Sequence, residues 1–130
     1  MSKKRTTPTQ AKDLYLSDWF LKARKYVEGD QSQWFILSAE HGLVSPETVL
    51  SPYEKTLNKM KISDRREWAM KVKMQMDSLL PATDRINVLA GKRYREFLMD
   101  HLRQRAKAVD VPMERLPIGK QLQYLSKTTP

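Results

Sequence analysis

Two short apolar runs, set apart by segments of helical periodicity, constrain this chain more than any other feature. The first covers residues 33–38, QWFILS, and the second residues 85–90, RINVLA. Runs this short, β-branched and aromatic read as strands, and each leads into a stretch containing glycine. Between residues 17 and 28, Trp19, Phe20, Ala23, Tyr26 and Val27 recur at helical spacing, with Ser17 or Asp18 placed to cap the start and Gly29 to end it. Residues 62–80 predict a second helix, opened by a Ser63 cap, stopped before Pro81 and carrying Trp68, Val72, Met76 and Leu79 as its apolar stripe. Gly91 suits a tight turn into a third helix from Lys92 to about Lys107, with Tyr94, Phe97, Leu98 and Leu102 turned inward. A weak strand at 108–111 and a closing helix at 118–126 complete the pattern.

Strands that alternate with helices imply an α/β fold. The expectation is three layers, a short and mostly parallel sheet flanked by helices. A chain of 130 residues has the size of one domain. Residues 1–10 are polar and contain Pro8, so they read as a flexible basic arm, and residues 11–130 read as the single domain.

Composition narrows the function classes. No cysteine is present, which removes disulfides, thiolate nucleophiles and thiolate metal sites. No apolar stretch reaches membrane-span length and the start lacks the apolar centre of a secretory signal, so a cytoplasmic protein without membrane contact is expected. The formal charge is +9, from 24 Lys and Arg against 15 Asp and Glu. The cations cluster at Lys3, Lys4, Arg5 and Lys12, at 55–73, and at 92–107. Such clusters either solubilise a surface or attract a polyanion, with DNA favoured here over RNA.

Ligands of parallel α/β sheets collect beyond the carboxyl ends of the strands. Ser38, Glu40 and His41 stand there after the first run, offering a hydroxyl, a carboxylate and an imidazole for general-base or water-orienting work. The bland alternative is that these groups only bond loop backbone while Gly42 makes the turn. After the second run, AGKRY places Gly91 before Lys92, Arg93 and Tyr94, where backbone N–H groups and two cations can meet one phosphate, although the P-loop spacing is absent. In LPIGKQLQYL, Lys120 sits near a helix start and Gln121 is a candidate for a base edge. Tyr53 and Tyr94 are candidates for stacking on bases, against the alternative of buried rings with satisfied hydroxyls. His41 and His101 have no partners at ligand spacing, so no metal and no cofactor is expected. Met70, Met74 and Met76 suggest either a sticky surface or core filling.

The ordered motifs DLYLSDWFLKARKY, WFILSAEHGLVSPETVLSPYEKTL, REWAMKV, LAGKRYREFL and LPIGKQLQYL resemble, over nearly the whole chain, the small bacterial and phage proteins of domain-of-unknown-function family 6884. The pattern LSAxHGLxxPxxxxxPY is also similar to a segment of the YaaA-type peroxide-response proteins. The resemblance implies a compact α/β domain associated with nucleic acid or nucleobase chemistry, with a fold akin to the uracil-DNA glycosylase superfamily. It also implies an opening hydrophobic strand ending in a Cys-x-Lys-Lys-like motif. Here the chain begins MSKKR with no such strand before it, so either the true start lies upstream or this member dispenses with the strand, in which case Ser2, Lys3 and Lys4 are candidates for its remnant.

Two functions follow. One is a glycosylase-like enzyme acting on a base in DNA, with Glu40 or His41 positioning water, Ser38 beside them, Tyr53 or Tyr94 lining the pocket, and Lys92 with Arg93 holding phosphate. The other is a non-enzymatic nucleic-acid-binding module that uses Lys3, Lys4, Lys92, Arg93 and Lys120, or a phage protein that binds a host protein.

Overall fold

A computed structural model of the chain describes residues 4–29 and 33–128. In chain order the elements are β1 (Thr9–Gln10), α1 (Ala11–Leu14), α2 (Asp18–Gly29), β2 (Ile36–Ser38), β3 (Gly42–Val44), β4 (Val49–Leu50), a 3₁₀ turn (Leu57–Lys59), α3 (Ile62–Leu79), β5 (Arg85–Asn87), α4 (Lys92–Arg95), α5 (Met99–Arg105), β6 (Ala108–Asp110) and α6 (Ile118–Thr128). Helices and strands are mixed as expected. The strands stand in three two-stranded sheets, β1 with β4, β2 with β3 and β5 with β6, where one sheet was anticipated. The physical reason is length: among the described residues no strand exceeds three residues, too few to build a continuous ladder.

The chain divides into two compact units. One comprises Met1–Ile36, Val44–Glu54 and Arg115–Pro130, the other Leu37–Leu43 and Lys55–Glu114.

The first unit centres on Ala11, Leu14, Tyr15, Phe20, Ile36, Val44 and Leu50, with Trp19, Trp34 and Tyr53 packed against them. Ser17 caps α2, its Oγ accepting the Phe20 N–H at 3.2 Å, and Phe20 and Ala23 supply the buried face. Against α2 lies α6: Trp19 Nε1 donates to Gln121 Oε1 at 2.8 Å, and the Tyr26 and Tyr124 rings meet at 5.9 Å. Arg24 ties α2 to α1, donating to Asp13 Oδ1 at 2.7 Å, to the Lys12 carbonyl at 3.0 Å and to Glu28 at 3.1 Å. Over residues 4–10, Lys4 bridges to Tyr15, the Arg5 N–H reaches the Leu14 carbonyl, and Thr9 and Gln10 pair antiparallel with Leu50 and Val49.

The second unit contains a parallel crossover. β5 pairs with β6 through Arg85↔Ala108, Ile86↔Val109 and Asn87↔Asp110, with α4 and α5 in the connection. α3 buries Arg65, Trp68, Ala69, Val72 and Met76. Its start differs from expectation: Lys61 is the N-cap, with no side-chain cap bond, and Ser63 lies inside the first turn because the chain enters extended at Lys61. Leu79 and the methionine pair Met70 and Met74 are exposed, the latter two at 65% and 73%, whereas Met76 is core. The single helix anticipated over 92–107 is broken. Leu98 N–H bonds to the Arg95 carbonyl three residues back, a tightening that separates α4 from α5. In that break Glu96 accepts from Arg65 Nε at 3.0 Å, and the Arg66 guanidinium lies 5.2 Å from the Phe97 ring centroid.

Candidate functional site

The turn between β2 and β3 carries Ser38, Glu40 and His41, and α3 of the same unit holds it. Ser38 is fully buried, and its Oγ accepts the His41 N–H at 3.0 Å, the local bond by which serine stabilises a tight turn. Its carbonyl accepts the Trp68 indole N–H at 2.9 Å. At the far side of the turn, Gln75 reads two backbone groups at once: Nε2 donates to the His41 carbonyl at 3.1 Å and Oε1 accepts the Leu43 N–H at 2.8 Å. Gly42 lies between them at φ +78°, a left-handed conformation that favours glycine. A Cβ there would collide with Gln75 Oε1, so glycine is also what lets Gln75 approach. Trp68, Lys71 and Gln75 recur at i, i+3 and i+7, one helix face, and together they grip the turn.

Glu40 projects from the turn and is exposed. Its Oε2 lies 3.8 Å from Lys55 Nζ, and its carbonyl lies 3.5 Å from Lys71 Nζ. His41 is half-buried beside it. Thus three of the anticipated site residues do share one turn, with Ser38 facing inward and Glu40 outward.

Trp68 connects this turn to α4. The Trp68 and Tyr94 rings meet edge to face at 5.8 Å, and the Tyr94 hydroxyl lies 3.5 Å from both Thr56 Oγ1 and the Leu57 N–H. Tyr94 is therefore a half-buried ring with partners, and it sets α4 beside the 3₁₀ turn. Lys92 and Arg93 are exposed on α4, and Lys59 and Lys61 are exposed on and just after the 3₁₀ turn. Among the described residues none of these four forms an ion pair. The anion reading of AGKRY consequently rests on side chains: α4 is a single turn, too short for a helix-end field, and Gly91 has φ −67° with open space where a Cβ would stand.

The remaining candidates belong to the first unit. Tyr53 shares a 2.6 Å hydroxyl contact with Tyr15, and Lys4 Nζ stands 4.8 Å from the Tyr53 ring centroid. Lys120 is exposed on α6. Gln121 is committed at both ends of its amide, to Trp19 and to the Leu116 carbonyl, which leaves it no amide end for a base edge and corrects that expectation. Lys3, with Ser2, lies outside the described residues. Gln75 escaped the sequence reading, in which Lys55 and Lys71 figured only as members of the cation cluster at 55–73; the signal that locates Lys71 and Gln75 at the turn is their spacing from Trp68.

Fold and site define a cysteine-free, basic α/β protein whose polar turn is clamped by one helix, with the exposed cations Lys59, Lys61, Lys92 and Arg93 on the 3₁₀ turn, just after it and on α4. The chain belongs to the family of unknown function DUF6884, whose model matches residues 1–127. No curated protein and no solved structure matches it. No described helix is long and apolar enough to cross a membrane.

Proposed function

We propose that this protein is a nucleic-acid-binding module that grips the phosphate backbone, DNA in preference to RNA, through the ledge formed by the 3₁₀ turn and α4. The observation that carries the reading is that Tyr94 joins α4 to the 3₁₀ turn, and that Lys59 on the turn, Lys61 just after it, and Lys92 and Arg93 on α4 are all exposed and form no ion pair among the described residues. Cations left without internal partners cost nothing to present to a polyanion, and each phosphate they neutralise releases counterions. The test is a titration of a fluorescein-labelled DNA duplex across a salt series. Replacing all four cations by glutamine should flatten the slope of log K against log salt by roughly 3 to 4, at about 0.9 per contact. An unchanged slope and affinity would overturn the reading.

A second reading, hydrolysis of a glycosidic bond in DNA, is favoured by one observation: the Glu40 carboxylate and His41 lie next to each other on a turn fixed at both ends. It requires release of a base from DNA carrying modified bases, abolished by Glu40→Ala with His41→Ala while duplex affinity persists. No base release at high protein excess would remove it.

A further inference from the structure

Glu40 occupies an unusual electrostatic position in its unit. It is the one acid in residues 37–43, and residues 55–61, which face it through Lys55, contain three lysines and no acid. Two cations converge on it from different elements, Lys55 toward the carboxylate at 3.8 Å and Lys71 toward the carbonyl at 3.5 Å. The ion pair is long and half-exposed, with side-chain accessibilities of 43% for Glu40 and 49% for Lys55. A pair of this kind contributes little to stability, so it yields readily to a stronger anion. The backbone around Glu40 is nevertheless held by Ser38, Trp68 and Gln75, which fixes the point from which the side chain projects while its carboxylate remains displaceable.

We infer that Glu40 is a built-in competitor for phosphate: its carboxylate holds Lys55 as a latent further cation, which a backbone phosphate recruits by displacing the carboxylate. The inference rests on the proposed nucleic-acid-binding reading and adds a regulatory element to it. Contact with the ledge at Lys59, Lys61, Lys92 and Arg93 needs no displacement, whereas engagement of Lys55 does. A ligand too short or too weakly charged to displace Glu40 is therefore held by the ledge alone.

The experiment uses the full chain and the same labelled duplex. Glu40→Gln should raise affinity at low salt by up to roughly fivefold, the factor equivalent to an exposed ion pair, and should steepen the salt slope by up to about 0.9. The gain should vanish in a Lys55→Gln background, because the released cation is then absent. Asp100→Asn removes the same charge from an exposed site on α5 that pairs with Arg103, and should give a smaller gain that survives Lys55→Gln. If Glu40→Gln does no more than Asp100→Asn, or if its gain persists without Lys55, the competitor role is overturned while the ledge reading stands. If no substitution, the ledge quadruple included, alters affinity, the nucleic-acid reading itself fails. Loss of base release without a change in affinity would assign Glu40 to catalysis instead.

Discussion

Replacing Gly42 by alanine tests the clamp on the β2–β3 turn more sharply than any change to a polar side chain. Two costs are separable. Alanine at φ +78° costs about 1 to 2 kcal/mol in backbone conformation. Its Cβ also cannot coexist with Gln75 Oε1 in place, so Gln75 must swing away and forfeit its bonds to Leu43 N–H and the His41 carbonyl, about 1 kcal/mol each. The sum is about 3 to 4 kcal/mol, a fall in urea midpoint of roughly 1.5 to 2 M at a slope near 2 kcal/mol/M. Gln75→Ala alone should cost about 2 kcal/mol. Because that change already removes the colliding atom, Gly42→Ala in its background should cost only the conformational ~1 to 2 kcal/mol. The assay is equilibrium urea denaturation of the two single variants and the double variant, followed by far-UV circular dichroism. Additive costs, or a Gly42→Ala variant within about 0.5 kcal/mol of the parent, would refute the argument that glycine is present for Gln75.

Three further outcomes follow from other contacts. Glu96→Ala leaves the Arg65 guanidinium buried with only the Met60 carbonyl for company and should cost about 3 kcal/mol by denaturant titration, whereas exchanging both partners for apolar residues should recover much of it. The hydrogen bond from Arg24 holds the Asp13 carboxyl below its ordinary value of 3.8, outweighing the opposing effect of burial. Its contribution to stability is therefore complete above that value and is lost as the pH falls through the lowered one, so Asp13→Asn should flatten the acid limb of a stability profile below pH 4. Gln121→Ala should lower stability by about 2 kcal/mol through loss of its bonds to Trp19 and Leu116, yet leave duplex affinity unchanged; weakened binding in a fully folded variant would reopen a role at a base edge.

How legible all this was in the sequence depended on how many residues shared a pattern. α2, α3 and α6 are the long elements, at 12, 18 and 11 residues, and the bounds read from the sequence fall within two residues of theirs. β1, β3 and β4 have two or three residues each, within segments whose Pro8, Gly42 and Pro46 read as loop, and no period can be drawn from so few positions. The break between α4 and α5 was hidden for a different reason. Glu96 and Phe97 are ordinary helix formers, and only their partners Arg65 and Arg66, thirty-one residues earlier, explain why the helix tightens there. At the site, chemistry was easier to locate than support. Ser38, Glu40 and His41 were conspicuous because they follow an apolar run, but the inward role of Ser38 and the grip of Gln75 depend on a helix distant in sequence. Gly91 illustrates the reverse error: a glycine beside a helix start suggests a necessary turn, yet its backbone is one any residue adopts.

The discontinuous make-up of the first unit has a consequence for biosynthesis. Its core residues Phe20 and Leu50 leave the ribosome long before α6, which brings the fully buried Leu125 and the Gln121 that Trp19 requires. Between Glu54 and Arg115 about sixty residues of the other unit intervene, roughly 3 to 12 seconds of synthesis at 5 to 20 residues per second. At the end of that interval the second unit's chain is complete while the first still lacks its last segment, so emergence favours an order of folding opposite to the order of the numbering. A chaperone that shields apolar surface during translation would find its substrate in the half-finished first unit, on the face of α2 that awaits α6.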